Sequence, residues 1–344
     1  MLKNETFISD LDSVISEKNI DFNMLENKTI LVTGATGLIA YTLIHSLLYA
    51  RRNIKVLALV RNLEKAKKMY GEQDGIMYIV SDICDAIAYD DSIDFIVHGA
   101  SITSSKSFVD CPIYTIFTAI NGTKNILNLA VEKNVKSFVY LSSMEVYGTP
   151  NTDEKIHEIN ATNIDTMETR SSYPESKRMC ESICRAYFAE KNVPSKTLRL
   201  TQTFGPGVDY NDGRVFAEFA RCAIEKRDII LKTKGETKRS YLYTADATRA
   251  ILIALLKGEN GHAYNVANED TYCSIYEMAQ LVAQEFTDGE IQVQIEDNED
   301  ISKLGYASTM NMNLDTGKLQ SLGWEPSSGL VCMFENMCKT MEKI

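Results

Sequence analysis

Tyr173 and Lys177 lie four residues apart in the run Tyr173-Pro-Glu-Ser-Lys177, and Ser143 ends an apolar run upstream of them. On a helix this spacing puts phenol and ammonium on one face. A nearby cation favours the phenolate, so the tyrosine pKa is expected to fall from about 10 toward working pH. A phenol tuned in that way can pass a proton to or from a sugar or alcohol hydroxyl. The pair is not diagnostic alone, because any helix with a tyrosine and a surface lysine can carry it. Its meaning depends on a glycine-rich turn at the other end of the same domain.

That turn is Thr33-Gly-Ala-Thr-Gly-Leu-Ile-Ala40, which follows a short β-branched run and opens an apolar helix. Gly34 and Gly37 allow a tight turn and close backbone approach to a pyrophosphate, which would sit at the helix N-terminus beside Thr36, Leu38 and Ile39. Ala40 takes the third position of the fingerprint and still lets the helix pack closely. The second strand ends Leu59-Val60-Arg61-Asn62, without the acid that holds ribose hydroxyls. Arg61 there suits a 2′-phosphate and tilts the expected cofactor from NAD toward NADP; the competing reading is a solvated loop residue. Asp82 and Ile83 follow the third strand, within reach of an adenine amine. Ala100 and Ser101 follow the fourth, small where backbone must pass a ribose. His98 is read as a packed strand-end histidine.

The elements around these groups alternate. Strands are expected at 28–34, 55–60, 77–80, 95–98, 137–142 and 196–200, with helices at 38–52, 64–70, 115–132 and from about 173. This is the pattern of a Rossmann-type α/β fold, a doubly wound parallel sheet with helices on both faces. After Gly205-Pro-Gly207 the rhythm breaks into shorter pieces: helices near 216–225, 245–256, 274–286 and 329–342, and strands near 228–232, 239–243, 262–266 and 291–295. The expected organisation is a helical leader over 1–28, with Ile8, Leu11, Val14 and Ile15 at helical spacing. A dinucleotide-binding domain over 29–205 plus about 241–267 follows, and a smaller mixed substrate-binding region over 206–240 and 268–344.

Composition narrows the partners. The chain has 344 residues, 44% of them hydrophobic and 24% charged, with a formal net charge of -11. That charge disfavours nucleic-acid and anionic-membrane surfaces, while leaving room for a local phosphate pocket. The eight cysteines form no C-x-x-C pair and accompany no histidine cluster, so no metal site is expected and the thiols read as free in a reducing compartment. The N-terminus lacks a signal-peptide pattern, and no run approaches the roughly 18 apolar residues of a membrane span. A cytoplasmic protein is expected.

Four motifs in order carry a resemblance: the T-G-A-T-G-L-I-A turn, Leu141-Ser-Ser-Met-Glu-Val-Tyr-Gly148, Tyr173 to Lys177, and Leu198-Arg-Leu-Thr-Gln-Thr-Phe-Gly-Pro206. Together they resemble the extended short-chain dehydrogenase/reductases, in the NAD-dependent epimerase/dehydratase group acting on nucleotide sugars, over residues 27 to 330. Ser143-Met-Glu-Val-Tyr-Gly148, Thr203-Phe-Gly-Pro206 and Asn211-Asp-Gly-Arg-Val215 look most like UDP-glucuronate decarboxylases. Arg239-Ser-Tyr241 and Leu322-Gly-Trp324 match further family motifs.

The resemblance implies a mechanism. Tyr173 would take the sugar 4-hydroxyl proton while the C4 hydride moves to the nicotinamide. Ser143 would hydrogen-bond the same oxygen, Lys177 would bind the nicotinamide ribose and lower the tyrosine pKa, and Glu145 would move a second proton. Arg239, with Arg214, would neutralise the substrate diphosphate beside Gln202. A homodimer is expected through two helices. Departures from the family are Met144 where dehydratases carry an acid, Gly207 where decarboxylases carry arginine, and Gln202 and Ala119 in place of two asparagines, with Asn121 a substitute for the second. The implied activity is oxidation at C4 followed by epimerisation, decarboxylation or dehydration. Two alternatives remain: an NADPH-consuming reductase of a nucleotide-activated keto-sugar or polyol, and a non-catalytic dinucleotide-binding sensor.

Overall fold

The computed structural model describes residues 4–296 and 308–341. The first three residues of the leader, and 297–307 and 342–344 of the expected substrate region, lie outside the described residues. In chain order the strands are β1 (Thr29–Thr33), β2 (Lys55–Val60), β3 (Ile76–Val80), β4 (Phe95–His98), β5 (Ser137–Ser143), β6 (Ser195–Leu200), β7 (Gln202–Phe204), β8 (Ile229–Leu231), β9 (Lys238–Tyr243), β10 (His262–Val266), β11 (Asn268–Ser274), β12 (Val293–Ile295) and β13 (Asn311–Met312). The helices are α1 (Glu5–Ile15), α2 (Leu38–Tyr49), α3 (Leu63–Tyr70), α4 (Ser105–Asp110), α5 (Pro112–Glu132), α6 (Ser172–Lys191), α7 (Val215–Glu225), α8 (Thr244–Lys257), α9 (Ile275–Thr287), α10 (Gly317–Gln320) and α11 (Leu330–Thr340).

Seven parallel strands form the main sheet in the order β10-β6-β5-β4-β1-β2-β3. Ile30 and Val32 of β1 join one apolar core, and Leu31 joins the other. A strand buried on both faces reads as a continuous apolar run, which is why β1, β2 and β4 were legible. The first core lies beneath α1, α2 and α8, and the second beneath α5 and α6. The order reverses between β1 and β4, so a crevice opens at their carboxyl ends, where ligands bind in open parallel sheets.

From β6 the chain passes through Thr201 directly into β7, which pairs with β9 in a second sheet of order β11-β9-β13. β7, β11 and β13 were not expected. β11 reads Asn-Glu-Asp-Thr-Tyr-Cys-Ser, with no apolar alternation, and β13 has only two residues. The short helix α4 was missed for the same want of length.

The expected helical leader over 1–28 is corrected: the helix covers only Glu5–Ile15, capped by the Asn4 side chain, and a 3-10 turn follows at Phe22–Leu25. Its buried stripe is Phe7, Leu11 and Val14, while Ile8 and Ile15 are half-exposed. Phe7 stacks on Tyr41 of α2 with ring centroids 5.2 Å apart. Asp10, on the same face, accepts hydrogen bonds of 3.0 and 2.8 Å from the Tyr243 hydroxyl at the end of β9. Burial raises the Asp10 carboxyl to about 7. α1 therefore touches both the cofactor helix and the second sheet.

Candidate active site

The glycine turn lies in the crevice. Gly34 has φ +66°, and a Cβ there would come within 2.9 Å of the Ala100 nitrogen and the Gly99 carbonyl carbon. Only glycine suits that conformation and that approach. Gly37 donates its N–H to the Gly34 carbonyl at 2.9 Å and caps α2 with no side-chain hydrogen bond. The first N–H groups of α2 thus lack a side-chain cap, at the positive end of the helix dipole. Thr36, Leu38 and Ile39 are half-buried around the turn. This arrangement fits a dinucleotide pyrophosphate.

A chain of hydroxyls and one imidazole fixes the neighbouring loop. Thr33 Oγ1 accepts from the Gly99 and Ala100 N–H groups at 3.2 and 3.1 Å, and lies 2.7 Å from His98 Nδ1. With both lone pairs used, the Thr33 proton goes to Nδ1, so Nε2–H of His98 donates to Thr123 Oγ1 at 3.1 Å. Burial pushes the His98 imidazole down to about 3. It is a neutral packing residue, in keeping with its reading as a strand-end histidine.

At the end of β2, Asn62 spends its side chain capping α3, while Arg61 is exposed and donates to the Tyr114 hydroxyl at 2.9 Å. Asp82 is half-buried and accepts from the Cys84 N–H, and Ile83 is buried against Gly122 of α5. Ala100 and Ser101 line the loop after β4, half-buried.

The catalytic candidates meet on the other side of the crevice. Ser143 ends β5 and caps the 3-10 turn Met144–Tyr147, accepting from the Glu145 N–H at 3.2 Å. Its hydroxyl also lies near the Tyr173 phenol, whose pKa it pulls down. Tyr173 is buried near the start of α6 and stacks on Phe108 of α4, centroids 4.2 Å apart and planes 8° apart. Lys177 Nζ donates to the Leu141 carbonyl at 2.8 Å and lies 4.8 Å from the Tyr140 ring and 5.8 Å from the Tyr173 ring.

The expected fall in the Tyr173 pKa is corrected. Burial raises it well above the usual phenol range, Glu145 raises it further, and Ser143 and Arg170 pull it back. Lys177 sits over the ring rather than against the hydroxyl, and burial lowers its own ammonium to about 8.

In the second sheet, Arg239 sits on β9 with a buried Nε that has no hydrogen-bond partner among the described residues. A cationic donor left unpaired in a buried position is costly, which favours an anionic ligand there. Gln202 on β7 pairs in register with Tyr241, two residues on from Arg239. Arg214 is different. It chelates Asp212, at 2.6 Å for Nη2, and its guanidinium lies 4.7 Å from the Phe216 ring, so its charge is already matched. Met144 and Ala119 are buried among apolar neighbours, and Asn121 is exposed on α5.

Two contributors escaped the sequence reading. Phe108 carries no motif signal. Arg170 grips the Glu145 carboxylate with two hydrogen bonds, and its position three residues ahead of Tyr173 was the available hint. A cavity of about 360 Å³ lies behind the 3-10 turn, between α6 and the β6–β10 edge. Its buried charges are already satisfied: Arg199 pairs with Glu181 at 2.7 Å, and Arg178 donates to the Val146 and Thr162 carbonyls.

The sequence profile of the NAD dependent epimerase/dehydratase family matches residues 30–267. The chain belongs to that family. Among epimerase/dehydratase relatives, UDP-glucuronic acid decarboxylase 1 of Xenopus tropicalis is 28% identical over 321 residues, covering 92% of this chain and 72% of its own. The dTDP-D-glucose 4,6-dehydratase of Mus musculus is 28% identical over 326 residues, covering 92% of this chain and 88% of its own. In fold, the chain is similar to an epimerase of Methanothermobacter thermautotrophicus, with a TM-score of 0.78 at 22% identity over 93% of both chains. Among the described residues, no helix is long and apolar enough to cross a membrane.

Proposed function

We propose that this protein is a nucleotide-sugar enzyme that oxidises its substrate at the sugar C4 and completes an epimerisation, decarboxylation or dehydration without net redox change. The observation that carries the reading is the proximity of Ser143 to the Tyr173 phenol, with Lys177 over the same ring and the Gly34 turn at the end of β1. A nicotinamide dinucleotide held by Gly34, Thr36, Gly37, Leu38, Ile39, Asp82, Ile83, Ala100 and Ser101 supplies the hydride acceptor. Tyr173 Oη takes the 4-hydroxyl proton, while Ser143 Oγ holds the same oxygen in line. Lys177, the nearest ammonium, stabilises the phenolate as it forms. Arg239 meets the diphosphate, with Gln202 beside it; Arg214 contributes only if it leaves Asp212.

We take 29–205 with 241–267 as the cofactor part and 206–240 with 268–344 as the substrate part, in a cytoplasmic homodimer. The outward faces of α5 and α6, with Ile113, Tyr114, Phe117 and Met179 exposed, support pairing through those helices. Arg61 supports NADP over NAD, and with it a second reading, an NADPH-consuming reductase of an activated keto-sugar. The test is an NMR product survey over UDP-, dTDP-, GDP- and CDP-sugars with the purified protein. Conversion of one donor without added dinucleotide is expected. Turnover only with stoichiometric NADPH oxidation would replace the first reading with the second, and no turnover across the panel would contradict both.

A further inference from the structure

Glu145 is the catalytic candidate held by an opposite charge. Arg170 Nη1 donates to Oε2 at 2.9 Å and Nη2 to Oε1 at 3.2 Å, with side-chain exposures of 20% and 14% for the two partners. Arg170 belongs to the 3-10 turn Thr169–Ser171 that leads into α6. Its guanidinium lies 5.8 Å from the centroid of Phe108, the ring on which Tyr173 stacks. The two charges act oppositely on the phenol, Glu145 opposing its ionisation and Arg170 favouring it.

We infer that Arg170 is a positioning residue for the proton transfer: it holds Glu145 as a charge-matched carboxylate beside Tyr173, leaving Tyr173 as the side chain that exchanges a proton with the substrate. The inference rests on the reading of Tyr173 proposed above. A carboxylate clamped through both oxygens by a guanidinium, with little water around it, must give up a charge-assisted hydrogen bond before it can accept a proton. Without Arg170, the negative charge of Glu145 would stand uncompensated against the phenolate that Tyr173 must form.

This pairing also divides the possible reactions. A 4,6-dehydration needs a base for the C5 proton and an acid to protonate the departing C6 hydroxyl as water. Glu145 is occupied, and the neighbouring position is Met144, buried in an apolar cluster with its sulfur 3.2 Å from Thr201 Oγ1. A 4-epimerisation needs a proton exchanged only at O4. In a decarboxylation the C5–C6 electron pair passes into the adjacent 4-keto group as CO₂ leaves, and the enolate so formed takes its C5 proton from water, so no side-chain base is required for that bond to break. The geometry therefore points to a substrate processed by epimerisation or decarboxylation.

The test separates the two levels. Protein labelled with ¹³C at the glutamate carboxyls is titrated by infrared difference spectroscopy, and Glu145→Gln identifies the Glu145 band. In Arg170→Ala the Glu145 protonation midpoint is expected to rise by at least about one pH unit, a tenfold change. Arg170→Lys, which keeps the charge but loses the fork, is expected to recover part of that shift. If Arg170→Ala does not fold, Arg170→Gln carries the same measurement. An unchanged midpoint would overturn the inference while leaving the Tyr173 reading intact. Conversion of dTDP-glucose to a 4-keto-6-deoxy product would overturn the division of reactions, and full turnover by Tyr173→Phe would remove the reading on which the inference rests.

Discussion

The two walls of the crevice are built in different ways. Around Gly34 the contacts offered to a ligand are main-chain N–H groups, and side chains such as Thr33 and His98 serve to hold that main chain still. Around Tyr173 the contacts are side chains, each fixed by another: Tyr173 by Phe108 and Ser143, Glu145 by Arg170, Lys177 by the Leu141 carbonyl. A wall made of backbone fails when the backbone is forced to move. A wall made of side chains can lose one member and keep its shape while its electrostatics change.

The largest effect that would break this contrast is expected at Gly34. In Gly34→Ala the new methyl meets Ala100 and Gly99 and occupies a left-handed conformation, at about 1–2 kcal/mol for the conformation alone. NAD affinity measured by calorimetry is expected to fall by roughly tenfold or more. Gly213 has open space where a Cβ would go and no positive φ, so Gly213→Ala is expected to leave NAD affinity unchanged. Equal affinities for the two variants would remove the argument for a backbone-built wall. The shift of about one pH unit expected at Glu145 in Arg170→Ala is the counterpart on the other wall, a change of charge balance without a change of fold.

The smallest effect lies where α1 joins the two regions. Burial raises Asp10 to about 7, while an unfolded chain releases that proton near the ordinary aspartate value of 3.8. The folded chain therefore binds the extra proton between those values, and stability falls as pH rises from about 4 to 7 and is flat above. Asp246, also raised by burial, acts in the same direction. Asp10→Asn keeps an acceptor for the Tyr243 hydroxyl and is expected to make the protein less sensitive to pH over that range, read by urea unfolding at pH 5 and pH 8. An unchanged slope would mean that Asp10 ionises freely.

The same contrast governs what could be read from the chain. The parallel sheet was legible because each buried strand is a continuous apolar run, and the Gly34 turn because glycine marks backbone geometry directly. Tyr173, Lys177 and Ser143 were legible as types at a spacing. Their environment was not. Phe108 reaches Tyr173 only through the fold, Arg170 reaches Glu145 across 25 positions, and Asp10 reaches Tyr243 across 233. Spacing suggested that Lys177 would lower the phenol pKa; burial, which spacing does not report, decides that sign instead. Arg214 looked available until the fold closed it onto Asp212.

The central claim is that oxidation starts at Tyr173. Its most direct test is the turnover of Tyr173→Phe on the donor sugar identified by the product survey, with NAD affinity measured on the same sample. Removing a general acid–base group is expected to lower turnover by about 10²–10⁴-fold while the dinucleotide still binds. Turnover by Tyr173→Phe equal to that of the parent protein would contradict the account.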